Sequence, residues 1–102
     1  DPVILSRIQV NLHPRLPEPF TSDFHVDIEY LEKDVAAHWT TSILYMNTNN
    51  GYTEIEDGTK IESVANRLMS IPNNTKHRGI TQTDEQTRIM INFNFLKRKK
   101  RD

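Results

Sequence analysis

Short runs in which polar and apolar residues alternate with a period of two make up most of this chain. That period is typical of β-strands, in which successive side chains point to opposite faces. Helical periodicity is nearly absent, because the best stretch, 31–38, is barely two turns long and lacks an apolar stripe. The pattern predicts an all-β sandwich, barrel or jelly roll whose eight short strands lie at 3–12, 24–30, 40–47, 52–57, 59–64, 67–71, 77–82 and 87–95.

Residues that favour turns separate these runs. Asn49-Asn50-Gly51 and Asp57-Gly58 are typical of hairpin turns, since asparagine and glycine accept the backbone angles that tight turns require. His13-Pro14 interrupts the first run, and Pro72-Asn73-Asn74 closes a later one. The chain therefore contains turn signals at the frequency that an all-β domain needs.

Length and composition exclude several classes of protein. With 102 residues the chain forms one domain, and its 13 basic and 14 acidic residues argue against a general nucleic-acid binder. It has no cysteine, and no apolar run long enough to cross a membrane. The absence of an initial methionine suggests a trimmed or excised domain, and a cytoplasmic location is our default expectation. The basic tail, 97–102, is interpreted as a solvated end rather than a nucleic-acid contact.

Two of the predicted strands each have one apolar and one polar face. In 24–30 the apolar face holds Phe24, Val26, Ile28 and Tyr30, and the polar face holds His25, Asp27 and Glu29. In 87–95 the apolar face holds Ile89, Ile91, Phe93 and Phe95, and the opposite face holds Arg88, Met90, Asn92 and Asn94. A polar face can meet water or line a ligand-holding cup, and the pattern alone does not separate the two.

His25-Val26-Asp27 is the one place where a histidine lies two residues from a carboxylate on a predicted strand. The spacing puts both side chains on one face, close enough to hold one metal ion. A second histidine would complete the 2-His-1-carboxylate set of non-haem iron(II) oxygenases. His77, which opens a later strand, is the preferred candidate, because His13 lies in a loop and His38 is more typical of packing or of the surface.

Arg88 lies on the polar face of the last strand. An arginine that points into a cup needs an anionic partner, because burial of an unpaired charge is costly. The carboxylate of a co-substrate would supply that partner through a bidentate pair.

Several segments occur in an order that resembles the iron(II)- and 2-oxoglutarate-dependent oxygenases. The resemblance is to the prolyl-hydroxylase-like branch, which includes many bacterial and phage proteins, and it covers roughly 24–95. It is carried by His25-Val26-Asp27, Thr41-Ser42-Ile43-Leu44-Tyr45-Met46-Asn47, Asn50-Gly51-Tyr52-Thr53-Glu54, Arg67-Leu68-Met69, Lys76-His77-Arg78-Gly79 and Arg88-Ile89-Met90-Ile91-Asn92-Phe93-Asn94-Phe95.

The resemblance implies a double-stranded β-helix, the jelly roll of cupin-like proteins, over 1–96. It implies that His25, Asp27 and His77 are catalytic and bind iron(II). Arg88 is then the partner of the distal carboxylate of 2-oxoglutarate, with help from Tyr45 and, more remotely, Thr41. Tyr45 is equally compatible with a plain core aromatic, and Asn92 and Asn94 can line the cup or bond to neighbouring strands. The implied reactants are iron(II), 2-oxoglutarate and dioxygen, with ascorbate as an optional reductant, and the substrate is not identified.

Two alternatives remain open at this stage. The first is a catalytically silent cupin-like module that binds a ligand or has a structural role, and it would not convert 2-oxoglutarate to succinate. The second is a β-barrel that binds nucleic acid through 97–102, with a steep salt dependence.

One face of the predicted sheet lacks a cover. Relatives usually carry N-terminal helices over that face, and this sequence contains none. Ile89, Ile91, Phe93 and Phe95 should merge with Leu44 and Met46 into one apolar patch. Since a monomer rarely leaves such a patch open to water, we expect a second copy of the chain or another segment to cover it.

Overall fold

The computed structural model describes residues 3–97, so most of the predicted basic tail, from residue 98 on, lies outside the described residues. Within that range the elements are β1 (Val3–Pro14), α1 (Lys33–Ala36), β2 (Trp39–Tyr45), β3 (Tyr52–Ile55), β4 (Lys60–Glu62), β5 (Leu68–Pro72), β6 (His77–Ile80) and β7 (Thr87–Lys97). No helix in residues 3–97 is long and apolar enough to cross a membrane.

The strands form two antiparallel sheets. The larger sheet has the order β1-β7-β2-β5, and the smaller has the order β4-β3-β6. The first and last strands pair along their whole length, from Val3 opposite Lys97 to Pro14 opposite Thr87. Pairing of the chain ends, with repeated crossing between two sheets, is the topology of a jelly roll. The predicted all-β double-stranded β-helix is therefore confirmed.

The predicted strand 24–30 is wrong. The chain makes one isolated bridge there, between His25 and His77, and then leaves the sheet. The expected common face is lost as well, since Ile28 is 5% exposed and Tyr30 is 83% exposed. The backbone of Ile28 bonds to the side chain of Asn73 instead of to a strand, and this side-chain partner replaces the ladder that alternation predicted.

The two predicted hairpin turns have different outcomes. Asp57-Gly58 does connect the paired strands β3 and β4, with Gly58 at a φ of 97°, where glycine is favoured. The segment Asn49-Asn50-Gly51 instead crosses from one sheet to the other, because β2 pairs with β5 and β7 while β3 pairs with β4 and β6. It is therefore not a hairpin.

The two faces of β7 lie as predicted. Arg88, Met90 and Asn94 are buried between the sheets, and Ile89, Ile91, Phe93 and Phe95 are only half-buried on the other side. The hydrophobic core lies on the inner side and consists of Ile43, Tyr45, Met69 and Met90. The polar residues of β7 thus line the interior of the cup.

The outer face of the larger sheet is a continuous apolar surface. β7 lies between β1 and β2, so that Ile91 stands beside Val10 on one side and Leu44 on the other. The predicted merging of these outward residues is confirmed. Several of its side chains are largely exposed, among them Ile8, Val10, Leu12 and Leu68. We call this surface the outer face.

Candidate metal centre

An antiparallel bridge positions the two histidines. The backbone N–H of His25 donates to the carbonyl of His77, and the reverse bond also forms, both at 2.9 Å. A bridge of this kind puts the two side chains side by side on one face. The ring centroids are 4.7 Å apart. His77 at the start of β6 and His25 in the segment between β1 and α1 therefore reach the same point.

Asp27 completes the group. Its Oδ1 lies 3.2 Å from Nε2 of His77 and 3.8 Å from Nε2 of His25. The three candidate ligand atoms lie within 4.8 Å of one another. Metal–ligand bonds of about 2.1 Å at right angles separate neighbouring ligands by about 3 Å, so small side-chain rotations suffice to close the set around one ion. The structure brings the three predicted ligands together, while their role as ligands stays a prediction.

The contacts of both histidines with backbone carbonyls involve Nδ1 and leave Nε2 directed towards Asp27. Nδ1 of His25 lies 2.9 Å from the carbonyl oxygen of Asp23, and Nδ1 of His77 lies 3.4 Å from that of Thr75. A carbonyl oxygen only accepts, so Nδ1 is the donor in these contacts. Nε2 is therefore the nitrogen of each ring that would bind a metal, in place of its own proton.

The second oxygen of Asp27 is held by β7. Oδ2 accepts hydrogen bonds from the side-chain amides of Asn92 at 3.2 Å and Asn94 at 3.3 Å. Burial alone would raise the pKa of Asp27, but the hydrogen bond and charge of His77, together with both asparagines, outweigh it and hold the pKa below its ordinary value. Asp27 is therefore an ionised carboxylate with one oxygen directed at the histidines.

A buried polar network continues behind Asn94. The hydroxyl of Thr41 lies 2.9 Å from Oδ1 of Asn94 and 3.2 Å from Oδ1 of Asn73. Asn73 in turn bonds both the N–H and the carbonyl of Ile28, next to Asp27. The predicted contact of Thr41 with a co-substrate stays a prediction, since its hydroxyl serves this network. Asn73, predicted only as a turn residue, connects this network to the backbone beside Asp27.

Arg88 is fully buried on the same inner face of β7 as Asn94. Its exposure is 0%, and its Nε donates to Oγ of Ser63 at 3.1 Å. Its terminal nitrogens, Nη1 and Nη2, have no hydrogen-bond partner among the described residues. Burial lowers the pKa of Arg88 from its ordinary value, because the charge is removed from water without a counter-ion. An anion at Nη1 and Nη2 would offset that cost.

Glycine residues make room for the guanidinium. A Cβ at Gly51 would lie 2.8 Å from Cδ and 2.9 Å from Nε of Arg88, closer than real contacts allow. A Cβ at Gly79 would lie 3.7 Å from Nη1. Gly51 was predicted as a hairpin residue, but its lack of a side chain serves the packing of Arg88.

Tyr45 is a core aromatic, which is one of the two interpretations that the sequence left open. It belongs to the hydrophobic core, and its hydroxyl donates to Oγ1 of Thr53 at 2.7 Å. Burial raises the pKa of Tyr45, and the nearby positive charge of Arg88 opposes that shift. Tyr45 thus lies within the electrostatic field of Arg88, while its contact with a co-substrate stays a prediction.

The other two histidines lie apart from the triad. His13 stands opposite Arg88 in the pairing of β1 with β7, where burial and the arginine charge lower its pKa. Nδ1 of His38 lies 2.8 Å from the carbonyl of Asp34, at the C-terminal end of α1. Neither belongs to the metal-compatible group of the described residues.

An open cleft of 490 Å³ leads to the triad. One wall is the inward row of β1, formed by Arg7, Gln9 and Asn11, and the other is the segment 25–30. Asn11 donates to Oδ1 of Asn92 at 3.1 Å and connects the wall to the residues that hold Asp27.

No protein-family model and no curated protein matches the sequence. A search of solved structures finds a cupin protein from Bacteroides fragilis, with a TM-score of 0.56 over 87% of this chain at 13% sequence identity. The chain has the cupin fold. It spans 64% of that cupin protein, and at this identity the likeness shows the fold alone.

The cupin fold is shared by metal-dependent enzymes and by proteins that catalyse nothing. In this cupin fold the triad, the buried arginine and the cleft all lie on the inner side of the sandwich. A function for this chain must therefore be argued from the residues of the site and not from the fold.

Proposed function

We propose that this chain is an iron(II)- and 2-oxoglutarate-dependent oxygenase that hydroxylates a C–H bond of its substrate. The observation that carries the proposal is Arg88, fully buried and with neither terminal nitrogen hydrogen-bonded within residues 3–97, in a cup that also holds His25, Asp27 and His77. A 2-His-1-carboxylate set is typical of non-haem iron(II) oxygenases. A guanidinium fork matches one carboxylate in a bidentate pair.

The two features together favour a ligand with an acidic group at each end. One end would bind the metal at the triad, and the other would neutralise Arg88. 2-Oxoglutarate has this arrangement, with a keto acid at one end and a carboxylate at the other. The proposal also places the protein in the cytoplasm, a reducing compartment that suits ferrous iron.

When bound, iron(II) and 2-oxoglutarate supply oxidative chemistry in which one dioxygen molecule converts 2-oxoglutarate to succinate and CO₂ and the substrate C–H to C–OH. Nε2 of His25, Nε2 of His77 and Oδ1 of Asp27 would bind the metal. Asn92 and Asn94 hold Asp27 in its orientation, and Arg88 would bind and orient the co-substrate. The buried setting of His77 and Arg88 excludes water from this part of the cup.

Calorimetry on the manganese-loaded protein tests the proposal without turnover. We expect 2-oxoglutarate to bind and 2-oxobutyrate, which keeps the keto acid but lacks the distal carboxylate, to bind at least tenfold more weakly. This factor is about 1.4 kcal/mol, within the range for a charge-assisted pair. Equal affinity for the two acids would contradict the role of Arg88, and binding of neither would contradict the function.

The second candidate is a cupin-like module that binds a metal or a ligand without catalysis. At 13% identity the likeness to the solved cupin protein shows the fold alone. Since the cupin fold occurs in enzymes and in proteins without catalytic activity, the non-catalytic module remains a candidate. It predicts metal binding at the triad without formation of succinate from 2-oxoglutarate.

A further inference from the structure

β1 is an edge strand whose outer hydrogen-bonding edge is unused in the described part of the chain. It forms one end of the larger sheet and pairs there with β7 alone. In an antiparallel strand every second residue directs its backbone N–H and carbonyl away from the partner. At 12 residues, β1 is about twice as long as an average strand, so it presents an unusually long free edge.

This edge lacks the features that usually protect an edge strand. Natural edges carry lysines, internal prolines or bulges that prevent pairing with another chain. β1 has one charged residue, Arg7, and its only proline is Pro14 at the end. The single irregularity lies between Leu5 and Arg7, so the edge is regular from Arg7 onwards. An unprotected regular edge is suited to receive another strand.

The two faces beside this edge differ in chemistry. The inward residues Arg7, Gln9 and Asn11 line the cleft, and the outward residues Ile8, Val10 and Leu12 belong to the outer face. An added strand has the same alternation, so its inward side chains would enter the cleft and its outward ones would cover the apolar row.

The cleft extends from the inner side of β1 to His25 and Asp27 of the candidate metal centre. Asn11 bonds to Asn92, and Asn92 bonds to Oδ2 of Asp27. A side chain that enters the cleft beside Asn11 would therefore lie next to the triad. The guanidinium of Arg7 also faces the cleft, where its Nη1 lies 3.5 Å from the carbonyl oxygen of Asp27.

We propose that the free edge of β1 binds an extended peptide strand with apolar residues on its outward face and a side chain directed to the triad. Arg7 favours an acidic residue on the inward face of the peptide, while Glu29, on the opposite wall, disfavours acidic residues close to that wall. The backbone bonds would hold the peptide, and the cleft would select its side chains. That the peptide is the substrate rests on the oxygenase function proposed above, but its docking does not.

A capped peptide, acetyl-Thr-Val-Thr-Val-Glu-Val-Thr-amide, serves as the probe for this edge. Its control has the same composition in the order Val-Val-Val-Thr-Thr-Glu-Thr, which removes the alternation. Each is titrated at millimolar concentration into the metal-free, ¹⁵N-labelled full chain, so that neither iron nor 2-oxoglutarate enters the result. We expect amide shifts in β1 and in 25–30 with the alternating peptide alone.

Two matched variants locate the binding. Val10→Lys adds a charge beside the edge and should abolish the shifts, whereas Leu68→Lys adds it to β5, on the far edge of the outer face, and should leave them. Arg7→Gln should weaken binding about two- to fivefold, the range for an exposed ion pair.

Three outcomes would overturn the proposal. These are no shift with either peptide, equal shifts with both, or shifts that Val10→Lys leaves unchanged. The last would place the bound peptide away from the edge of β1. If the peptide binds but 2-oxoglutarate does not, the docking edge is supported and only the proposed oxygenase function is rejected.

Discussion

Asn94 donates its side-chain amide to Oδ2 of Asp27 at 3.3 Å, while Oδ1 of the same carboxylate faces both histidines. Asn92 makes the same contact, so Asp27 offers the metal a single, fixed oxygen. Partners that orient a ligand in this way contribute to metal affinity, because they fix the direction of the ligand atom.

Asn94→Ala should lower metal affinity about 10- to 100-fold, because Asp27 loses a hydrogen bond that fixes its orientation. A zinc titration against a competing chelator measures the change, and circular dichroism checks that the variant folds. Asn74→Ala is the control, since Asn74 is exposed in the turn after β5 and its removal leaves the site intact. An unchanged affinity in Asn94→Ala would contradict the positioning role.

His77→Ala should abolish metal binding, because His77 supplies one of three candidate ligands and its side chain is 5% exposed. His38→Ala should leave binding intact, since the side chain of His38 contacts the carbonyl of Asp34 near α1 and does not belong to the triad. Cobalt titration followed by absorption spectroscopy distinguishes the two. If both variants lost the metal to the same extent, the assignment of the triad would be wrong.

Arg88→Lys should weaken 2-oxoglutarate binding while metal binding survives, because lysine keeps the charge but loses the planar fork. Gly51→Ala should have the same effect by another route, since its Cβ would displace Cδ and Nε of Arg88. Calorimetry on the manganese-loaded variants measures both. Unchanged co-substrate affinity in Arg88→Ala would remove Arg88 from the site.

The outer face should make the isolated chain self-associate at high concentration. Ile8, Val10, Leu12 and Leu68 are each more than half exposed, and burial of apolar surface contributes roughly 25 cal/mol per Å². The double variant Val10→Lys and Leu68→Lys should sediment as a monomer at concentrations where the parent chain does not.

A second double variant, Asn74→Lys and Gln86→Lys, adds the same charge at exposed polar positions away from the outer face. It should self-associate like the parent chain, which would show that added charge alone does not dissociate the protein. A parent chain that stays monomeric at high concentration would contradict the expectation that the outer face needs a cover.

Local alternation was sufficient to predict much of this fold. The two faces of β7 follow directly from Ile89, Ile91, Phe93 and Phe95, which alternate with the buried Arg88 and Asn94. The spacing of His25 and Asp27 also survived the loss of the predicted strand 24–30, because two residues bring both side chains to the same ion-sized space in the loop as well.

Features that depend on long-range contacts could not be predicted in this way. Asn73 holds Ile28 from 45 residues away, and Ser63 bonds to Arg88 from 25 residues away. Nothing in the sequence around either residue marks its partner. Gly51 resembles an ordinary turn residue until Arg88 is packed against it.

Formation of succinate from 2-oxoglutarate tests the central claim most directly. The full chain is supplied with iron(II), ascorbate, dioxygen and ¹³C-labelled 2-oxoglutarate, and succinate is followed by NMR beside the His77→Ala and Arg88→Ala variants. Ascorbate supplies the two electrons that a substrate C–H bond would otherwise give, so we predict succinate from the parent chain and none above background from either variant. A parent chain that binds iron but forms no more succinate than His77→Ala would contradict the oxygenase function and favour a silent cupin-like module.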